Sequence, residues 1–329
     1  MQAYIIRRSL LNIFVLLLVA TMVFGALRID SSTVVSRWAG ACNTGGDIAQ
    51  YEECVKVTRQ QLRLDRSIPE QYGEFMWDLL HLDLGNSFKT REPVLDEIGQ
   101  RAWPSIELGL LQILVALTIA LPVGVISAIR QDTWIDYILR FVAIGLLGIP
   151  VFVVAILVIM LTSRYAQGTF LPDWFGPQGS YTGLFDDPIE NIKTMTGPAV
   201  VGGLGTGAII MRFLRSQMLE VLRQDYVRTA WAKGLRERVI VIRHALKNAL
   251  IPVLTLIGIL LGTIVSGNVV LEYIFRIPGV GFYVTSAVAQ NPDFPVIQGI
   301  VIIVAVVLVF VNLLVDIAYG WLDPRIRYS

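Results

Sequence analysis

Residues 225–252 read DYVRTAWAKGLRERVIVIRHALKNALIP, a basic stretch that lies between two long apolar runs. The apolar runs decide the fold class, because a membrane span needs about 20 predominantly apolar residues to cross roughly 30 Å of hydrocarbon. The composition agrees with a membrane protein, since 54% of the 329 residues are hydrophobic and only 16% are charged. The runs that are long enough to span are 9–27, 105–129, 135–162, 249–270 and 296–319.

A sixth run, residues 197–222, is weaker, because Arg212 and Arg215 leave only 198–211 purely apolar. It spans if its arginine-bearing end reaches the lipid headgroups, but its length also suits a buried or re-entrant segment. The sequence therefore predicts an all-α polytopic membrane protein with five or six transmembrane helices. The net charge of +1 gives no electrostatic reason to expect a nucleic-acid partner.

The distribution of charge predicts the orientation. Arg7 and Arg8 precede the first run and place the amino terminus in the cytoplasm under the positive-inside rule. Nine Lys/Arg against three acidic residues between positions 212 and 248 place that loop in the cytoplasm too, which favours six spans and both termini inside. The first run is longer than the apolar region of a signal peptide and no clean cleavage site follows, so we expect a retained anchor.

These assignments divide the chain into three parts. Residues 1–27 form the cytoplasmic end and first span, residues 28–104 a small helical subdomain outside the membrane, and residues 105–329 a five-helix core. The exterior part contains Cys42 and Cys54, which pair in an oxidising compartment or remain as two free thiols. Two helices are expected on either side of Pro69, and the second carries an apolar stripe that packs on the spans: Tyr72, Phe75, Met76, Leu79 and Leu80.

Motifs for catalysis and nucleotide binding are missing. The chain contains no phosphate-binding G-x-x-x-x-G-K-[ST] loop, no nucleophile elbow and no H-E-x-x-H pair. The glycines of 203–207 lie inside an apolar run, where spacing by four favours close helix contact, as it does for Gly258 and Gly262. His81 and His244 fall on opposite sides of the membrane. We therefore expect neither an enzyme nor a metal site.

Ionisable residues are scarce within the apolar runs: Glu107 opens the second run, Arg140 lies near the start of the third, and Asp316 lies late in the last. Ion-coupled carriers usually keep acids or histidines in the membrane interior, so this scarcity argues against that class. Pro122, Pro150 and the region of Asn268 are either bends that line a path or ordinary helix kinks.

The loop at 223–252 predicts two helices separated by a glycine. Asp225 is expected to cap a helix over 226–233, and Gly234 to adopt a left-handed conformation at its end. A second, amphipathic helix bends at Pro252 into the fifth span, with an apolar stripe made of Val239, Ile242, Leu246 and Ala249. Three roles fit this layout: an anchor on the headgroups, a DNA-binding helix-turn-helix, and a docking element for a cytoplasmic partner. The residues alone give anchor and docking equal support.

The loop resembles the EAA loop of binding-protein-dependent ABC importer permeases, and the chain is similar to the B-type subunit of their dipeptide/oligopeptide branch. The family's Glu-Ala-Ala stands here as Arg228-Thr229-Ala230, and Trp231 replaces an expected polar or basic residue. The similarity covers nearly the whole chain and rests on several motifs: Tyr226–Ala230, Lys233-Gly234 and Asn248–Pro252 in the loop, Leu64-Asp65-Arg66 with Pro69 and Gln71-Tyr72, Asp83–Phe88, Glu272–Phe275 with Pro278–Gly281, and Leu322–Tyr328.

The resemblance implies a type I ABC importer permease fold with 197–222 as the fourth span. It implies that the first helix of the loop is a coupling helix seated in an ATPase groove. There, shape would come from Tyr226, Thr229, Ala230 and Gly234, and charge from Arg228, Lys233 and Arg236, with Trp231 as the unusual member.

The resemblance also implies partners in a bacterial or archaeal cell (inner) membrane. These are a second homologous permease chain, two ATP-binding subunits that hold ATP and Mg²⁺, and an extracytoplasmic solute-binding protein. The chain itself would hold no cofactor. Peptides are the implied cargo, and nickel chelates, glutathione or oligosaccharides are the alternatives within the family.

Overall fold

The computed structural model describes residues 2–29, 35, 48–61, 64–176, 181–265, 268–289 and 292–322. Within these ranges helices are joined by turns and loops and no β-strand forms; an isolated bridge pairs Asn86 with Pro93. Cys42 lies outside the described residues, so its pairing with Cys54 stays a prediction. The helices are α1 (Gln2–Ile29), α2 (Ile48–Gln61), α3 (Ile68–Leu80), α4 (Val94–Ile129), α5 (Trp134–Gly148), α6 (Val151–Tyr165), α7 (Leu171–Phe175), α8 (Pro188–Leu222), α9 (Asp225–Ala232), α10 (Glu237–Val239), the π-helix π1 (Ile240–Leu246), α11 (Lys247–Val265), α12 (Val269–Phe275), α13 (Val280–Val288) and α14 (Phe294–Leu322).

Five segments of the described chain are long and apolar enough to cross a membrane: 7–26, 94–129, 188–222, 237–262 and 294–315. The weak sixth run is among them, because α8 extends it at its amino-terminal end to Pro188. Asp187 starts this helix by accepting hydrogen bonds from the backbone N–H groups of Ile189 and Glu190, each at 3.1 Å.

The predicted span 135–162 is not one straight helix. It consists of α5 and α6, whose axes bend by 103° at a short break, and the span count is six only if this pair crosses as one. The break lies at Ile149 and Pro150, where Ile149 is extended, with φ −96° and ψ 124°. Proline disfavours the helical conformation of the residue before it and lacks a donor of its own, which explains the break.

The other prolines of the runs do not break their helices. Pro122 lies inside α4 and Pro252 lies inside α11. Helix continues from Glu237 to Val265, so the chain is not interrupted at Pro252, where we predicted a bend between the loop and the fifth span.

The chain forms two compact units. One comprises residues 1–5, 103–282 and 310–329, and the other comprises 6–102 and 283–309. The second unit thus combines most of the first span and the segment predicted to be exterior with part of the carboxy-terminal region. The predicted division of the chain at residues 27 and 104 does not place residues 283–309 with the exterior segment.

In the second unit, the apolar stripe of α3 packs on α1. The ring of Phe24 lies edge-on to Tyr72, with centroids 5.2 Å apart, and 5.5 Å from the ring of Phe75. This confirms the predicted packing on a span. The helix begins one residue before Pro69, which therefore lies in its first turn rather than between two helices, a position that proline tolerates well.

In the first unit, α8 is the most buried of the candidate spans. Its glycines allow close contact with α4. A Cβ atom on Gly203 would lie 2.8 Å from Val115 Cβ, and one on Gly207 would lie 3.3 Å from the Ala116 carbonyl oxygen. Gly258 of α11 faces Val315 of α14 in the same way, at 2.5 Å. These contacts confirm helix packing as the role of the glycine run.

Candidate functional site

Helix α9 carries most of the residues predicted to contact a partner. Asp225 is its first residue rather than its cap, because the extended residue before the helix is Gln224, with φ −72° and ψ 149°. The prediction was wrong by one position. A carboxylate in the first turn is still favourable, because it lies near the positive end of the helix dipole.

The carboxy-terminal end of α9 has the geometry expected from Gly234. The Gly234 N–H donates to the Trp231 carbonyl at 2.9 Å, and the Leu235 N–H donates to the Ala230 carbonyl at 3.4 Å. This is a Schellman motif, and it requires the left-handed backbone that Gly234 adopts, with φ +74°. No atom lies within 4 Å of an added Cβ, so a side chain here would meet only the backbone penalty, about 1–2 kcal/mol.

The inner face of α9 packs on the rest of the first unit. Val227 and Ala230 are buried and form a small cluster with Ile240 of π1, against the end of α8 at Val221 and Leu222. Ala230 therefore fixes the position of the helix and does not point outward. The other residues predicted for the site are exposed: Tyr226, Arg228, Thr229, Trp231, Lys233, Gly234 and Arg236.

A polar clamp holds the amino-terminal end of α9 to the following helix. The amide nitrogen of Asn248 donates to the Tyr226 hydroxyl and to the His244 carbonyl, each at 2.9 Å. The Tyr226 hydroxyl in turn donates to the His244 carbonyl at 3.4 Å. Asn248 belongs to a motif that supported the resemblance, but the sequence assigned it no contact. With the Val227–Ala230 packing, this clamp fixes the outer face of α9 relative to α11.

The helix after α9 differs from the predicted amphipathic α-helix. Residues 240–246 are a π-helix, and the buried positions are Ile240, Val241, Ala245, Ala249 and Val253. Of the predicted stripe, Ala249 is buried and Leu246 partly buried, whereas Val239 and Ile242 are exposed. A π-turn holds more residues than an α-turn, so a pattern read at 3.6 residues per turn loses its phase before Ala249.

A buried ion pair lies close to the end of α8 that leads into α9. Asp136, in the first turn of α5, has no exposed surface. Its two carboxylate oxygens accept hydrogen bonds from the Nε and Nη2 atoms of Arg215, each at 2.8 Å. Ser127 of α4 donates to the same carboxylate at 2.5 Å, and Arg140 lies at 3.4 Å. Arg215 is therefore paired inside the protein, contrary to the expectation that it reaches lipid headgroups.

The ion pair joins three helices at one point, namely α4, α5 and α8. No local pattern indicates that Asp136 and Arg215 meet, because 79 residues separate them. The only local signal was an acidic residue at the start of an apolar run.

A comparison with protein families decides the identity of the fold. The model described as "Binding-protein-dependent transport system inner membrane component" matches residues 120–328, which include α9 and its clamp. The chain belongs to this family. The permease is accordingly a multi-pass protein of the inner membrane.

Curated relatives align with most or all of the chain. The permease is 37% identical to the dipeptide transport system permease protein DppB of Alkalihalophilus pseudofirmus, over all of both chains. It is 37% identical to the protein of the same name in Escherichia coli (strain K12), over 82% of this chain and 84% of that one. A putative peptide transport system permease protein of Brucella abortus is 34% identical over all of both chains.

A solved structure supports the fold. An inward-facing structure of the MetNI methionine ABC transporter aligns with a TM-score of 0.55 and 16% identity, over 70% of the permease and 97% of that chain. At this identity the likeness concerns the fold alone, which is that of an ABC importer permease.

The motif formed by Glu272–Phe275 and Pro278–Gly281 surrounds a buried carboxylate. Glu272 of α12 has no exposed surface and accepts hydrogen bonds from the Ser105 hydroxyl at 2.8 Å and the Phe282 N–H at 3.0 Å. A Cβ on Gly281 would lie 2.9 Å from Glu272 Oε2, so the glycines of the motif leave room for the carboxylate. Burial raises the pKa of Glu272 above its usual value, with the hydrogen bonds opposing that effect.

Two further polar contacts involve buried side chains of α4. The Tyr181 hydroxyl donates to buried Glu107 at 2.6 Å, and the Asn268 amide donates to buried Gln112 at 2.5 Å. Asn268 is therefore held by a side chain of α4. Within the described ranges, no group of three His, Cys, Asp or Glu side chains could hold a metal ion.

Proposed function

We propose that the permease imports dipeptides or short oligopeptides as one of two homologous membrane subunits, driven by two separate ATP-binding subunits. The family and the names of its full-length relatives support the peptide cargo. Delivery would come from an extracytoplasmic solute-binding protein. ATP and Mg²⁺ would be held by the ATP-binding subunits, so that this chain needs no cofactor of its own.

The observation that carries the proposal is the two-sided construction of α9. Its inner face is fixed by Val227 and Ala230, and its amino-terminal end by the clamp to Asn248. Its outer face offers exposed shape and positive charge that no described part of the chain covers, with Trp231 49% exposed. A helix fixed on one side and open on the other can transmit a force from a partner to α8 and α11.

The charge of this face suits an acidic groove. Arg228, Lys233 and Arg236 are exposed, and the carboxylate of Asp225 lies 3.6 Å from Arg228 in a solvent-exposed pair that contributes little. We propose that α9 binds in a groove of the ATP-binding subunit. Acidic residues of that groove would pair with the three cations, and the Trp231 ring would make the apolar contact. An exposed tryptophan at the centre of an interface commonly contributes much of the binding energy.

Cross-linking tests the docking. Thr229→Cys lies on the outer face of α9, and Ser163→Cys lies in α6 as an exposed control outside the loop. In the complete importer, a short bifunctional thiol reagent should join Thr229→Cys to an ATP-binding subunit and leave Ser163→Cys unlinked. Equal labelling of both variants, or none at Thr229→Cys, would argue against a seat for α9.

The cargo needs a separate test. The solute-binding protein of the same importer is screened by thermal shift against dipeptides, tripeptides, longer peptides, nickel chelates, glutathione and oligosaccharides. Stabilisation by peptides alone supports the proposal, and stabilisation by another class assigns that cargo instead.

A reporter fused to the carboxy terminus tests the proposed topology, in which both termini are cytoplasmic.

A further inference from the structure

A polar cavity in the second unit opens next to an apolar one. The polar cavity has a volume of about 350 Å³ and is bordered by charged and amide side chains that include Arg28, Gln71, Asp78, Asp83, Arg91 and Gln298. The apolar cavity, of about 240 Å³, is lined almost entirely by hydrocarbon. Leu79, Leu84 and Ile302 line both cavities, so the two cavities are adjacent and together present a polar end and an apolar end.

The change from polar to apolar lining follows the two spans of this unit in the same direction. On α1, Arg28 borders the polar end, and Ala20, Leu17 and Ile13 border the apolar end. On α14, Gln298 borders the polar end and Val306 the apolar end. The two helices are tied at the polar level by the Gln298 amide, which donates to the Val23 carbonyl at 3.4 Å.

The dimensions match a membrane lipid. At 1.5 Å per residue, the distance along α1 from Arg28 to Ala20 is about 12 Å, and from Ala20 to Ile13 a further 10 Å or so. The total is close to the depth from a headgroup phosphate into one leaflet of a bilayer whose hydrocarbon is roughly 30 Å thick. The apolar cavity therefore lies where an acyl chain would run.

The charges at the polar end are of both signs. Arg28 and Arg91 supply two guanidinium groups, and Asp78 and Asp83 two carboxylates. The described contacts of Arg28 are with neutral groups: its Nε donates to Gln71 Oε1 at 3.1 Å, and its guanidinium lies 4.1 Å from the centre of the Phe24 ring. Burial lowers the pKa of Arg28, as expected for a cation held away from water.

We propose that this site binds one phospholipid with a phosphoethanolamine headgroup. The phosphate lies against Arg28 and Arg91, the ammonium group against Asp78 and Asp83, and one acyl chain in the apolar cavity between α1, α3 and α14. A primary ammonium donates hydrogen bonds to carboxylates, whereas the trimethylated ammonium of a choline headgroup cannot. The site therefore prefers ethanolamine over choline, and it prefers either zwitterion over a headgroup without a cation.

Native mass spectrometry of the purified permease tests the site. The protein is delipidated in detergent and offered palmitoyl-oleoyl phosphatidylethanolamine, phosphatidylcholine or phosphatidylglycerol at equal concentration. We expect one retained phosphatidylethanolamine per chain and several-fold less of the other two lipids. Equal retention of all three lipids, or retention of an added dipeptide that displaces the lipid, would overturn the proposal.

Matched variants separate the site from general lipid adhesion. Arg28→Ala removes one of the two phosphate contacts and should reduce retention at least tenfold, because a charge-assisted hydrogen bond to the headgroup is lost. Arg59→Ala removes an exposed positive charge of the same unit that does not line the cavities, and it should retain lipid like the wild type. Equal retention by Arg28→Ala and Arg59→Ala would contradict the headgroup assignment.

A second pair of variants tests the chain cavity without altering the headgroup contacts. Val306→Trp fills the apolar cavity, and Val301→Trp adds the same ring to the same helix outside it. Retention should fall several-fold in Val306→Trp alone. Both variants are compared only if they elute as monodisperse protein with melting temperatures close to the wild type, and similar lipid retention by the two folded proteins would overturn the acyl-chain placement.

Discussion

Replacement of Asp136 by asparagine should destabilise the permease strongly. The substitution keeps the shape of the side chain but removes its negative charge. The two carboxylate oxygens that carry this charge each accept a hydrogen bond from Arg215 at 2.8 Å. Arg215 is only 15% exposed and Arg140 33% exposed, so neither cation can be fully rehydrated where it stands. Breaking a buried pair by removing one partner costs about 3–5 kcal/mol, because a buried charge is left uncompensated.

Thermal unfolding in detergent measures this loss. A change of 1 kcal/mol shifts the melting temperature by about 2 °C for a large domain, so Asp136→Asn should melt about 6–10 °C below the wild type. The double variant Asp136→Asn with Arg215→Gln removes both charges of the pair. It should lose less than the sum of the two single variants, because Arg215 no longer stands as a buried cation without its carboxylate, and only the more exposed Arg140 still lacks one.

Two outcomes would refute this reasoning. If Asp136→Asn melted within about 1 °C of the wild type, the pair would not hold α4, α5 and α8 together. If the losses of the single variants simply added in the double variant, Asp136 and Arg215 would be independent sites rather than partners.

Three further predictions concern other contacts of the first unit. Gly203→Val should lower the free energy of unfolding by about 1–3 kcal/mol, because the added side chain overpacks α8 against Val115. Gly205→Ala is the control, since an added Cβ there meets open space, and equal melting temperatures of the two variants would contradict this prediction. Tyr226→Phe loses the clamp and should cost about 0.5–1.5 kcal/mol, seen as faster hydrogen exchange of the α9 amides, and unchanged exchange would show that the clamp is dispensable. Because burial raises the pKa of Glu272, the folded state binds its proton more tightly than the unfolded chain, so stability is gained as pH falls towards the usual glutamate range and lost as pH rises. Glu272→Gln should flatten this dependence of the melting temperature below neutral pH, and parallel profiles for the two proteins would count against it.

Local signals in the sequence predicted the spans and the end of α9. A run of about 20 apolar residues has few alternatives to a membrane helix, and Gly234 lies where the backbone needs a positive φ that other residues adopt at a cost. Both signals depend on residues close to one another in the chain. Gly234 ends α9 as predicted, and five of the six runs overlap segments long enough to span, but the ends of these segments differ from the prediction by up to twelve residues, as at 237 against 249.

Contacts over long sequence distances were not predictable. Asp136 meets Arg215, and Tyr226 meets Asn248, through the packing of helices whose relative positions no local pattern encodes. The exposed positions of Val239 and Ile242 were missed for a related reason. A π-helix is stabilised by its surroundings and has no clear sequence signature, so a 3.6-residue period predicted the wrong face.

Proline gave a partial signal. Pro122, Pro150 and Pro252 look alike in the sequence, yet only Pro150 coincides with a break, and it bends the axis by 103°. A helix tolerates a proline when neighbouring helices hold it in place, which the sequence does not reveal.

The ratio of ATP hydrolysed to peptide imported tests the proposed role of α9 as the coupling helix. The complete importer is reconstituted in liposomes, and ATP hydrolysed per peptide imported is measured for the wild type, Gly234→Glu and Gly168→Glu. Gly168 matches Gly234 in its positive φ of +83° and in the open space at its Cβ, but it lies outside the loop at 223–252. We predict that Gly234→Glu loses peptide uptake while the chain stays in the membrane and the ATP-binding subunits still hydrolyse ATP, and that Gly168→Glu imports like the wild type. Wild-type uptake per ATP by Gly234→Glu, or equal loss in both variants, would contradict the role of α9 as the coupling element.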